Sequence, residues 1–221
     1  MKKLTHVAAG LILASSGIFA TTASAEVSYN IGWASEYYYR GILQNDSSGS
    51  AGIDWEDSGF YAGAWTADVG DGLEVDGFFG YSIEIGSGFT AGVGFTGYYY
   101  TGEFDDTYEE VNLKLGYETS ALPVSFALEY SVGEWDGFGA EADYDFLAVT
   151  ATHENGIYAK YGTFGDEFDG DYIELGWGTT ISEIDFGVAA IFNSDELSDQ
   201  LDSNGGPTEG EAFVFSIGKS F

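Results

Sequence analysis

Charged residues recur at every second position within stretches that are otherwise apolar, and this spacing bounds the chemistry open to the chain. Glu74, Asp76, Ser82 and Glu84 alternate with Val75, Phe79, Tyr81, Ile83 and Ile85. Glu110, Asn112, Lys114 and Glu118 alternate with Val111, Leu113, Leu115 and Tyr117; Ser125, Glu129 and Ser131 with Val124, Phe126, Leu128 and Tyr130; and Tyr172, Glu174 and Thr180 with Ile173, Leu175 and Trp177. Side chains of a strand point to opposite faces in turn, so each stretch has one apolar and one polar face. Fixed charges that share an inner face can filter ions, acidic rings favouring cations. The inward carboxylates expected from this pattern are Asp54, Asp76, Glu84, Glu110, Glu129, Glu174 and Asp185, and the inward cations are Arg40, Lys114 and Lys160. Each cation is expected to pair with a cross-strand carboxylate. The competing expectation is a salt-bridged interior with no conducting path.

Other chemistries find less support. His153 is the one histidine outside the N-terminal leader, and no G-x-S-x-G elbow accompanies it. A serine-histidine lipid-modifying site is therefore disfavoured, and no catalytic residue is expected. The acidic stretches 166–171 and 195–204 lack the spacing of a calcium loop, so neither a metal nor a cofactor is expected.

The elements that must position these residues are strands. Expected strands are 27–42, 50–56, 60–68, 74–85, 89–100, 108–118, 123–135, 142–153, 157–164, 171–181, 184–193 and 211–221. Very short turns at Asp57-Ser58-Gly59, Gly86-Ser87-Gly88, Glu154-Asn155-Gly156 and Ser182-Glu183, and a slightly longer one through Ser120 and Pro123, alternate with longer acidic connections. Those connections are placed near 43–49, 69–73, 101–107, 136–141, 165–170 and 194–210. Twelve strands with loops that alternate in length predict an all-β, transmembrane antiparallel meander β-barrel. A barrel of this size lies between one filled by side chains and one with a wide water channel, so a narrow pore is expected. Tyr37-Tyr38-Tyr39 and Tyr98-Tyr99-Tyr100 are expected near the outer ends of strands, the members on the lipid face joining an interfacial girdle and the alternate members facing inward, where they could line a sugar- or ring-binding mouth.

Both ends agree with export to a membrane. Lys2 and Lys3, the apolar run 7–20 and Ala23-Ser24-Ala25 form a signal peptide over residues 1–25, leaving 26–221 as the barrel. The last strand places Phe213, Phe215, Ile217 and Phe221 on one face and ends on an aromatic, the expected assembly signal for a closing strand. The chain has no cysteine, so disulfides do not stabilise it in an oxidising compartment. Its 6 Lys+Arg against 37 Asp+Glu exclude binding to nucleic-acid phosphates. Acidity is also expected of exported proteins in a saline habitat, so selectivity is argued from inward facing and not from the total charge. A hydrophobic content of 44% and an aromatic content of 17% exclude disorder as its meaning.

The segment from Tyr29 to Gly41 (Tyr-Asn-Ile-Gly-Trp-Ala-Ser-Glu-Tyr-Tyr-Tyr-Arg-Gly) and the segment Ser58-Gly59-Phe60-Tyr61-Ala62-Gly63-Ala64-Trp65 resemble the opening of the TorF-family porins. Lys219-Ser220-Phe221 is similar to that family's end, although Lys219 departs from the usual apolar residue. The resemblance implies a bacterial outer-membrane barrel, more firmly than any solute it passes; the even strand count and the short turns put both termini on the periplasmic side. Its implied partners are outer-membrane lipids, lipopolysaccharide and the barrel-assembly machinery. It implies no catalytic residues.

Overall fold

The computed structural model describes residues 25–221; the expected signal peptide lies outside them, apart from Ala25. The strands are β1 (Glu26–Ala34), β2 (Tyr37–Tyr39), β3 (Ile42–Asn45), β4 (Ser48–Asp57), β5 (Phe60–Asp68), β6 (Leu73–Gly86) and β7 (Phe89–Tyr100). They continue as β8 (Thr107–Tyr117), β9 (Val124–Gly137), β10 (Ala140–His153), β11 (Ile157–Asp166), β12 (Asp171–Ile181), β13 (Ile184–Asn193) and β14 (Gly210–Ser220). Among the described residues, twelve of these close into one antiparallel barrel, and β2 and β3 form a separate hairpin.

Each barrel strand pairs with its sequence neighbour around the wall, and β1 pairs with both β4 and β14. The closing seam aligns Asn30 with Ser220 and Ala34 with Ser216. It continues through Phe221, whose N–H donates to the Tyr29 carbonyl at 2.9 Å. Closure leaves the barrel, among the described residues, no unpaired edge.

Period-two patterning fixes which side is out. Ile31, Trp33, Phe79, Ile83, Leu113 and Leu115 are exposed, as are Leu128, Ile173, Leu175, Phe213 and Phe215. Such a surface is the apolar band of a lipid-facing barrel. The alternate positions turn inward and include Ser131, Tyr144, Phe146, Tyr172, Ile191 and Val214, all buried. Where facing was read from the sequence, the structure agrees for β6, β8, β9 and β12.

Turn chemistry shapes one end. Ser58-Gly59, Ser87-Gly88 and Ser182-Glu183 have positive φ at both residues. That backbone matches the right-handed twist of the strands it joins. The same conformation occurs at Phe138-Gly139, where the sequence suggested a longer acidic connection over 136–141. There β9 and β10 run on together instead, pairing up to Gly137 and Ala140.

The main departure concerns 27–42. It is not one strand. Pairing of β1 with β4 stops at Ala34–Ser48, and Tyr37–Asn45 folds back as the β2–β3 hairpin. Its tip is Arg40-Gly41, with φ of 48° and 84°. Sixteen residues exceed what one spanning strand needs, about 9–11. The surplus turns inward, where Tyr38 packs with Tyr144, Phe146, Phe164 and Tyr172 of the opposite wall.

Candidate functional site

The hairpin delivers Arg40 into the lumen, and the site is built around its guanidinium. Nη1 donates to Glu110 Oε2 at 2.8 Å, and Nη2 donates to Glu110 Oε1 at 2.8 Å and to Glu129 Oε1 at 2.9 Å. A longer bond of 3.3 Å runs from Nη2 to Ser131 Oγ. The Phe146 ring covers the cation, its centroid 4.1 Å from Cζ. Arg40 is 2% exposed. Planar bidentate pairing of this kind is specific to guanidinium and carboxylate.

Wall residues hold the acceptor ready. Tyr98, Tyr144 and Asn112 donate to Glu110 at 2.7, 3.1 and 2.7 Å, and Asn112 also donates to Ser131 at 3.0 Å. Tyr39 of the hairpin donates to Tyr98 at 2.7 Å. These residues sit on β7 to β10 at inward positions, so the strand period alone aims them at one another.

The other expected inward residues fall into two zones. At the end bearing the long loops, Asp76 is 3% exposed, and its Oδ1 has no hydrogen-bond partner among the described residues. Nearby Glu74, absent from the expected site set, accepts from Tyr37 at 2.7 Å and from Tyr100 at 3.3 Å. Deeper in the barrel, the register sets Lys114 opposite Glu129 and Lys160 opposite Glu174. Tyr158 also donates to Glu174. Lys114, Glu129, Thr150 and Lys160 line a small cavity there. At the short-turn end, Asp54 accepts from Asn30 at 3.1 Å, Asp185 accepts from Thr180, and Glu84 is exposed.

Two expectations need correction. Arg40 reaches the interior but is no part of the wall, because the hairpin carries it. Tyr37 and Tyr38 are both buried in the lumen, because the hairpin takes them off the wall, whereas Tyr98-Tyr99-Tyr100 alternates as expected, with Tyr99 facing out. His153 bonds within its own turn, its Nδ1 lying 2.9 Å from Asn155 Oδ1. Lys219 reaches Glu183 at 3.2 Å on the outer surface.

Fold and site together define a closed twelve-stranded porin-like barrel with an apolar exterior and a polar interior crossed by its own first hairpin. The chain belongs to the family described as "Bacterial protein of unknown function (Gcw_chp)", whose model matches residues 19–205. No curated protein matches the chain in sequence. Among solved structures, the KdgM porin in complex with disordered oligogalacturonate superposes with a TM-score of 0.59 at 10% identity, covering 89% of this chain and 99% of KdgM. The NanC porin superposes with a TM-score of 0.57, also at 10% identity and over 89% of this chain and 99% of NanC. At such identity the likeness is one of fold.

Proposed function

We propose that the protein is an outer-membrane channel for passive diffusion of small solutes, narrow and cation-preferring, closed in this state by the β2–β3 hairpin. The apolar exterior supports an outer-membrane location. The even strand count puts both termini at one end, and the short turns at that end support a periplasmic position for them. The resemblance to TorF-family porins, carried by residues 29–41 and 58–65, accords with an outer-membrane barrel.

The observation that carries the preference is the sign of the inner wall. Asp54, Glu74, Asp76, Glu84, Glu110, Glu129, Glu174 and Asp185 point inward against Lys114 and Lys160 on the wall and Arg40 on the hairpin. In a narrow lumen such charges are only partly screened at physiological salt. KdgM was solved with a polyanionic oligosaccharide; the lumen here is suited to solutes of the opposite sign.

Reversal potentials in a salt gradient across planar bilayers test this. Glu110 and Glu129 hold Arg40, so neutralising them changes two things at once. The cleaner set is Asp54→Asn, Glu84→Gln and Asp185→Asn, which should lower cation preference, whereas Lys114→Glu should raise it. Anion preference in the unmodified chain would defeat the proposal. A folded barrel that never conducts would favour a second reading, supported by the filled lumen: a non-conducting barrel with a surface-binding or structural role. The arrangement of His153 supports no enzymatic alternative.

A further inference from the structure

The geometry points to a guanidinium-binding subsite in the barrel wall, filled in the closed state by Arg40 and open to alkylguanidinium solutes once the hairpin withdraws. This deepens the channel reading by naming a solute class, and it rests on the lumen being reachable from outside.

Three observations carry it. First, the recognising groups belong to the wall and not to the hairpin. Glu110, Glu129, Ser131 and the Phe146 face lie on β8, β9 and β10, and the bonds from Tyr98, Tyr144 and Asn112 to Glu110 join wall to wall. The acceptor is thus held in place by contacts that do not involve Arg40. Preorganised acceptors of this kind lower the cost of binding.

Second, the fit is to the outer edge of a guanidinium. Both Nη atoms are bound, whereas the buried Nε has no hydrogen-bond partner. The wall reads the two Nη groups, which a free alkylguanidinium presents in the same way. An ammonium has three donors but lacks the planar fork, so it cannot meet both oxygens of Glu110 with two parallel bonds as the guanidinium does.

Third, the site is left in deficit when the hairpin leaves. Glu110 and Glu129 lose their guanidinium, and Asp76, paired in register with Tyr98, already has an unpartnered buried oxygen beside them. Lys114 stays opposite Glu129 and Lys160 opposite Glu174, but the wall around Glu110 and Asp76 is left net negative, which favours entry of a cation.

The test uses Arg40→Ala in the full-length barrel, purified in detergent. The probe is N-methylguanidinium chloride, with methylammonium chloride and sodium chloride as controls. The readout is the temperature at which compact, heat-modifiable migration is lost. N-methylguanidinium should raise that temperature in Arg40→Ala at concentrations about tenfold below those of the two control salts. It should leave the native chain unchanged, because Arg40 occupies the subsite. An equal response to all three salts, or none, overturns the proposal. Should Arg40→Ala fail to fold alone, refolding in each salt replaces the melt. Recovery with N-methylguanidinium only supports the subsite; recovery with none, or equally with all, overturns it. Bilayer conductance separates this from the channel reading. A variant that conducts but ignores guanidinium leaves the channel standing without the subsite. One that binds guanidinium but never conducts leaves the subsite in a closed barrel.

Discussion

Substituting Gly41 by alanine should expel the hairpin and open the lumen while leaving the wall intact. Gly41 has a φ of +84°, and a Cβ added there would lie 2.8 Å from Cδ1 and Cγ of Tyr172. Tyr172 is 1% exposed, and the clash falls at the root of its ring, so it has little room to yield. Overpacking of this kind costs about 1–3 kcal/mol. Displacement would also strain the bond from Asn193 Nδ2 to the Gly41 carbonyl, 2.6 Å long, worth about 1 kcal/mol. Strain from the positive φ is not counted, because the turn carries it whether docked or withdrawn. The docked state therefore loses about 2–4 kcal/mol relative to the withdrawn one, a shift of roughly thirtyfold to a thousandfold toward open. Single-channel recording should show frequent long openings in Gly41→Ala where the native chain is mostly shut. Gly139 supplies the control, with the same φ of +84° and nothing within 4 Å of an added Cβ. Gly139→Ala should strain its turn equally and leave conductance unchanged. If Gly41→Ala and the native chain conduct alike while both are folded, or if Gly139→Ala opens the channel as well, the plug is not the gate.

Other consequences follow from the seam and the turns. Deleting Phe221 removes the bond from its N–H to the Tyr29 carbonyl and the return bond from Tyr29 N–H, 2.9 and 3.3 Å, so the yield of heat-modifiable barrel in outer membranes should fall; an unchanged yield would remove the closing strand's end from the assembly signal. Ser182 and Glu183 hold φ of 52° and 65° without a glycine, so Ser182→Gly should stabilise the barrel by about 0.5–1 kcal/mol, seen as a higher melting temperature. Membrane fractionation should recover the protein with outer membranes; recovery as a soluble periplasmic monomer would end the channel reading.

The wall was legible because a period of two leaves little freedom. A one-residue slip would turn Leu113 and Leu115 inward and Glu110 and Lys114 toward lipid, so the facing of β8 follows from its sequence. The same rule placed Glu129 and Glu174. The hairpin was hidden because Tyr37-Tyr38-Tyr39 is as strand-prone as the segment before it. Two signals were nonetheless present. Apolar alternation stops at Ser35-Glu36, and Arg40-Gly41 puts a glycine where a two-residue hairpin turn requires positive φ. Phe138-Gly139 carries the same signature and was masked by its acidic neighbours. The tyrosine contacts to Glu74, Glu110 and Glu174 were not legible, because those between neighbouring strands depend on the register of each pair, and those of Tyr37 and Tyr144 join elements that are not neighbours in the sequence.

Those tyrosines explain how so acidic an interior stays folded. With few basic residues available, phenol hydroxyls take over part of the task of satisfying buried carboxylates. Tyr37 and Tyr100 donate to Glu74, Tyr98 and Tyr144 to Glu110, and Tyr158 to Glu174. A hydroxyl satisfies the oxygen without cancelling its charge, so the wall keeps its sign. Lys114 and Lys160 are fixed on the wall, but Arg40 is carried by an element that can leave. Withdrawal would therefore clear the lumen and remove one positive charge from it in the same motion, so opening and cation preference are linked. Open events of Gly41→Ala should accordingly show a reversal potential nearer the cation limit than any residual leak through the native chain. Equal values in the two would mean that Arg40 stays in the conducting path, and the link between gate and filter would fail.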